Sequence, residues 1–231
     1  MAKFDQVLRS AISVDNVIFG FNRDELKVIL VQRSAALHKD KWSLPGDMVL
    51  PEENLDVAAA RVLQHLVGLK DVYLEQVHTF GSVNRHPSGR VITIAYYSLI
   101  KLENNELRAS SWAEQAQWHN IQDALRMPLA FDHNEILEAC FNKLKKRVKT
   151  QPVGFELLPQ QFTLTELQQL YEAILQVPMD KRNFRKKMLS MNILVDLRIT
   201  QVGVAHRPAK LYRFDKERYE IVLEEGFTFD I

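Results

Sequence analysis

The chain has 231 residues, 46% of them hydrophobic, and a formal net charge of +1, a balance that suits one large or two small globular domains. No run approaches the roughly 18 apolar residues needed to cross a bilayer, and the first residues, MAKFDQVLRSAISVD, scatter charges where a signal peptide would carry an apolar core. Cys140 is the single cysteine, which excludes an intrachain disulfide and fits a cytoplasmic protein.

Residues 11–20 (AISVDNVIFG) and 26–33 (LKVILVQR) are rich in β-branched residues and flank the turn signal NRDE, so they read as an antiparallel strand pair. A helix follows over about 54–67, with Leu55, Ala59, Val62, Leu63 and Leu66 at the spacing of a packed face. Segments 72–80 and 90–100 read as strands around the polar loop GSVNRHPSG, and Gln115 to Trp118 as one more short strand. Asp132-His-Asn-Glu135 has the form of a capping box and opens a helix of about 16 residues ending near Lys149. Pro152 and Gly154 then break the pattern, which sets a domain boundary between 1–150 and 151–231.

The helix at 54–67 lies within Leu44–Leu69, LPGDMVLPEENLDVAAARVLQHLVGL. That stretch resembles the box of the Nudix hydrolases, G-x5-E-x7-R-E-U-x-E-E-x-G-U, where U is aliphatic. It keeps Glu53, Arg61, Leu63, Gly68 and Leu69. The opening glycine has become Asp47, and the metal-binding glutamates have become Val62, His65 and Leu66. Mg²⁺ takes oxygen ligands, chiefly carboxylates, water and substrate phosphate, so the outline of a phosphate-cleaving site persists without its chemistry, and neither a metal nor a cofactor is expected. His65 beside Glu52 or Glu53 could ligate a transition metal, although a lone histidine without a spaced partner is more often structural. Arg61 reads as a support of the loop, paired with Glu53.

In the C-terminal part, Thr163-Leu-Thr-Glu166 is a second capping box, opening the helix TLTELQQLYEAILQ. Val177-Pro178-Met179 is a turn, Asp180 an N-cap, and KRNFRKKMLSM a second helix with Phe184, Met188, Leu189 and Met191 as its buried side. ILVDLRIT and AKLYRF follow as a hairpin. Helix, turn, basic helix and hairpin is the order of a winged helix-turn-helix. Residues 151–231 are neutral overall, yet 181–213 carries 9 basic residues against one acidic, Asp196, a surface that attracts phosphates. Lys181, Arg182, Asn183 and Arg185, early in the second helix, are candidates for base edges. Lys186, Lys187, His206, Arg207 and Lys210 are candidates for phosphate or minor-groove contacts.

Together the box at 44–69, the strand RVITIAYYSLI at 90–100 and the block at 157–189 resemble the Nudix-related transcriptional regulators (NrtR type), over nearly the whole chain. The resemblance implies an α/β Nudix-like sandwich with a mixed sheet, followed by a small winged helix-turn-helix domain. It implies a bacterial regulator, a homodimer on operator DNA, whose former hydrolase domain binds a small-molecule effector: ADP-ribose or a pentose. The alternatives are a working hydrolase of a nucleoside diphosphate derivative with an accessory C-terminal domain, and an RNA- or protein-binding adaptor. By the same resemblance the effector lies between box and strands, with Arg33, Asp47, Glu53, Phe80, Arg85, Arg90 and Tyr97 as candidates. Arg85 and Arg90 bracket NRHPSGR and could fork around a pyrophosphate, or be ordinary charges of a surface loop. Asp132 is accounted for as an N-cap, and His133 could reach the pocket.

Overall fold

The computed structural model describes residues 10–22, 25–102, 107, 113–205 and 207–225; Arg23 and Asp24 of the expected turn lie outside them. By Cα proximity the chain falls into two compact units. The first holds residues up to Gly20 and Lys27–Lys143, and the second holds Phe21–Leu26 and the chain from Leu144.

The first unit is built on a seven-stranded sheet. Strands β1 (Ala11–Asn22) and β2 (Glu25–Arg33) are its long central members. The short β3 (Trp42–Ser43) and β4 (Gly46–Met48) follow, then β5 (Glu75–Phe80), β6 (Val91–Lys101) and β7 (Ala113–Asn120). The order is β3-β2-β1-β6-β5, with β4 also on β1 and β7 also on β2. β1 is buried from Ser13 to Phe21, which requires cover on both faces. Helix α1 (Leu55–Val67) supplies one cover: its Ala58, Ala59, Val62, Leu63, Leu66 and Val67 close onto Val14, Ile18, Ile29, Val31, Ile94 and Tyr96. Asn16, on this face, donates through Nδ2 to the Ala59 carbonyl at 3.2 Å. Gly68 ends α1 in the left-handed region (φ 78), returning its N–H to the Gln64 carbonyl. After the short α2 (Ile121–Arg126), α3 (His133–Thr150) covers the opposite face, where Phe141 meets Phe19 at 6.0 Å between ring centres. The result is the expected α/β/α sandwich.

The second unit opens with a 3₁₀ turn at Pro152–Leu157. α4 (Leu164–Leu175) starts on the expected reciprocal cap, with Thr163 and Glu166 each bonding the other's backbone. Gln176 (φ 61) ends it, and the Glu172 carboxylate accepts the Met179 N–H at 2.8 Å, tying down the turn. α5 (Lys181–Ser190) begins on Asp180, whose Oδ1 accepts the Asn183 N–H at 2.8 Å. β8 (Leu194–Thr200) and β9 (Lys210–Phe214) form the antiparallel hairpin, and α6 (Lys216–Glu224) follows. Phe184, Met188 and Met191 are buried as expected. Leu189 is not: it is 48% exposed, because each helical step turns the chain by about 100° and carries it off the face of Met188. Among the described residues no helix is long and apolar enough to cross a membrane.

Two stability predictions follow from this packing. Leu66→Glu, which restores one box carboxylate, would bury a charge in the apolar cluster. It should lower the unfolding free energy by about 3 kcal/mol or more in urea titrations, while Gln64→Glu on the exposed face changes little. The buried Tyr171 hydroxyl has no hydrogen-bond partner in the structure. Tyr171→Phe should therefore be neutral or stabilising by about 1 kcal/mol, read from the same titration.

Candidate functional site

The start of β1 and the end of β2 pair with different partners. Ser13, Val14 and Asp15 face Met48, Asp47 and Gly46 of β4, while Val31 and Gln32 face Ser43 and Trp42 of β3. At this end lies a cavity of about 230 Å³. Its buried floor is Ser13, Asp15, Thr93 and His133; Arg33, Asp47, Arg85, His86 and Phe131 form the more open rim.

The floor is a set of polar groups removed from water. His133 accepts the Leu44 N–H at Nδ1 (2.9 Å), so the neutral ring carries its proton on Nε2, which lies 3.7 Å from Asp15 Oδ2. Burial, reinforced by Arg33 and Arg85, pushes the His133 pKa down to about 3. Burial pushes Asp15 up to about 7 against the opposing pull of Arg85. Glycine at 46 makes room for it, since a Cβ there would lie only 1.7 Å from Asp15 Oδ1. Ser13 Oγ and Thr93 Oγ1 are hydrogen-bonded at 2.6 Å.

Arg85 holds the wall. Its Nε and Nη2 donate to Asp132 Oδ2 and Oδ1 at 2.7 and 2.6 Å, and Nη1 donates to Thr93 Oγ1. The Asp132 carboxylate is thus bound to an arginine 47 positions away rather than capping α3 as the local pattern suggested. Phe131, held at φ 55, a region that costs a non-glycine residue about 1–3 kcal/mol, forms the rim post. His86 stacks on it at 4.8 Å, His38 meets it edge-on at 4.6 Å, and the Arg33 guanidinium lies 4.9 Å from the ring centre.

The box keeps its frame. Arg61 donates to Glu53 through Nε (2.9 Å) and Nη2 (2.6 Å), to the Met48 carbonyl at 2.9 Å and to Asp47 at 3.5 Å. Glu53 also accepts the Leu50 N–H at 2.8 Å. The Arg61 bonds hold its carboxyl down to about 2. Val62 and Leu66 are buried within the apolar cluster and His65 is exposed.

Of the effector candidates, Arg33, Asp47 and Arg85 line the cavity. Glu53 is committed to Arg61 and stands outside the lining. Phe80 packs on His78 (5.1 Å), Arg90 donates to the Gly81 carbonyl, and Tyr97 lies buried with its hydroxyl 3.4 Å from Glu75. Arg85 and Arg90 form no common fork, because each guanidinium is engaged elsewhere. Sequence reasoning missed Ser13, Asp15, Thr93, His86 and Phe131. Only Asp15-Asn16, two polar residues inside an apolar strand, carried a visible signal.

On α5, Lys181, Arg182, Asn183, Lys186 and Lys187 are exposed. Arg185 leans back on α4, donating to Thr165 Oγ1 at 3.0 Å. Arg207 is exposed on the hairpin link, while Lys210 pairs with Asp196 at 2.8 Å. His206 lies outside the described residues.

The model of the NUDIX domain matches residues 10–140, and that of the NrtR DNA-binding winged helix domain matches 154–214. The chain is 34% identical over 211 residues to the ADPR responsive transcriptional repressor NtrR of Acinetobacter baylyi, covering 90% of this chain and 84% of that protein. It resembles the crystal structure of Shewanella oneidensis NrtR complexed with a 27mer DNA. There the identity is 29%, the coverage 94% of this chain and 97% of that one, and the TM-score 0.76. It also resembles the NUDIX domain of that NrtR complexed with ADP ribose, with 28% identity, coverage of 62% and 99%, and a TM-score of 0.55.

The raised pKa of Asp15 links folding to pH. Below about pH 4 both folded and unfolded chains hold its proton; between there and about 7 only the folded chain does, so its contribution to stability is lost as pH rises through 7. His133 works oppositely: its contribution is present above about 6.5 and lost as pH falls towards 3. The two contributions oppose each other between about pH 4 and 6.5. Asp15→Asn removes one component, and its stability relative to wild type should rise by on the order of 1.4 kcal/mol per pH unit between pH 4 and 7. Urea titrations across that range measure the difference.

Proposed function

Because the chain belongs to the NrtR family of Nudix-related regulators, we propose that it is a bacterial transcriptional repressor that responds to ADP-ribose. Residues 1–150 sense the effector and 151–231 bind operator DNA, as a cytoplasmic homodimer on a palindromic site. The first domain binds without hydrolysing. The observation that carries this reading is the fate of the box helix: Arg61 keeps the loop in shape beside a cavity, while Val62 and Leu66 are core residues. A pyrophosphate bound there meets the cation Arg33, and among the described residues no group of three or more metal-ligating side chains is gathered to hold Mg²⁺. Exposed Lys181, Arg182 and Asn183 in the first turn of α5 supply the charge and hydrogen-bonding groups for a DNA groove. Effector then acts by favouring the dimer arrangement that fits DNA less well, and its effect is bounded by its differential affinity for the two arrangements.

ADP-ribose at about 100 times its Kd should stabilise the protein by about 2.7 kcal/mol, seen as a higher Tm, and should release promoter DNA in a mobility-shift assay. Lys181→Ala/Arg182→Ala/Arg185→Ala should weaken duplex binding at least tenfold and make its salt dependence shallower. Magnesium-dependent release of AMP from ADP-ribose at about 1 s⁻¹ or faster would replace this reading with that of a hydrolase.

A further inference from the structure

We propose that Asp196 limits how strongly the C-terminal domain grips DNA: its carboxylate occupies Lys210 and withdraws that cation from phosphates. The proposal rests on the reading of 151–231 as a DNA-binding domain and adds a residue that works against that binding.

Asp196 is the one acidic residue among 9 basic ones in 181–213, and the backbone around it is shaped to hold it. From Asp196 to Thr200 strand β8 takes four steps where β9 takes two, from Tyr212 to Lys210. The surplus is a bulge, and Arg198 within it stands at φ 58, in the left-handed region. Asp196 Oδ1 accepts the Arg198 N–H at 2.8 Å and steadies that turn of the backbone. Oδ2 meets Lys210 Nζ at 2.8 Å. These bonds, that from Lys210 first, hold the Asp196 carboxyl below its ordinary range, so it is charged at neutral pH.

Most exposed ion pairs contribute little, because two mobile side chains must be stilled to form them. Here the carboxylate is already fixed by the backbone bond, and less freedom is lost. The Lys210 side chain is 63% exposed, open to a phosphate. A phosphate that takes it must first displace a carboxylate and then keep that carboxylate as a neighbour. Phosphate attraction supplies the sequence-independent part of DNA affinity, so a carboxylate set into the cationic surface subtracts from binding on every sequence alike. A weaker grip suits a repressor that an effector must release, since the effector shifts the equilibrium only by its differential affinity for the two states.

Fluorescence anisotropy on the full chain, with promoter duplex and random duplex of one length from about 50 to 200 mM salt, tests the assignment. Melting curves verify folding. Asp196→Asn keeps an oxygen for the Arg198 N–H but holds an ammonium less well than a carboxylate does. It should bind both duplexes about threefold tighter, the scale of an exposed ion pair. Its salt dependence should steepen by about 0.9 in log–log slope, the share of one phosphate. Adding Lys210→Ala should cancel both changes. An unchanged affinity and slope in Asp196→Asn, or a gain that survives Lys210→Ala, would overturn the role of Asp196 and leave the DNA-binding reading intact. A gain confined to the promoter duplex would overturn it too, because that marks a contact to bases rather than phosphates. If the wild type binds neither duplex, the reading of the domain falls and the role of Asp196 with it.

Discussion

Strand β1 is buried from Ser13 to Phe21, so its polar side chains lie out of reach of water and depend on partners inside the protein. The strand's alternation divides the task. Even positions Val14, Asn16 and Ile18 face α1, where an amide–carbonyl bond from Asn16 pins helix to sheet. Odd positions Ser13 and Asp15 face the other way, at the end where β3 and β4 each draw one strand aside. The cavity lies at that parting, and Ser13 and Asp15 of β1 share its polar floor with Thr93 and His133.

The box loop is fixed by its own hydrogen bonds. The loop hangs from Arg61, whose bonds to Glu53, Asp47 and the Met48 carbonyl join points along its length. None of these contacts uses positions 62, 65 or 66. Two of those positions, Val62 and Leu66, lie in the apolar cluster under the sheet. A charge-assisted network with several anchors is far better at fixing a loop than a lone exposed ion pair would be.

Long elements were legible because periodicity and caps are local signals. β1, β2, β6, α1, α4 and α5 lie close to where the pattern put them, and Thr163, Glu166 and Asp180 cap as their spacing suggested. The strands β3 and β4 were not legible, since two or three residues have no period and exist only as partners of β2 and β1. Asp132 shows the same limit in a side chain. Its neighbourhood describes a cap, yet a guanidinium brought near by folding offers a two-point, charge-assisted bond that outcompetes it. The cavity was half visible: Arg33, Asp47 and Arg85 stood out as charges near the box. Ser13, Thr93 and Phe131 are ordinary residues made special by their neighbours.

The contact between Gly46 and Asp15 ties together two positions far apart in the chain. A carboxyl oxygen occupies the space of a β-carbon at 46, so each residue sets what the other can become. A side chain at 46 needs a shorter residue at 15 and also a shift of the Val14 carbonyl, which would stand 2.9 Å from the added carbon. The backbone at 46 and the cavity floor at 15 are therefore one feature: what residue 46 is allowed to be is decided by the carboxyl that lines the cavity.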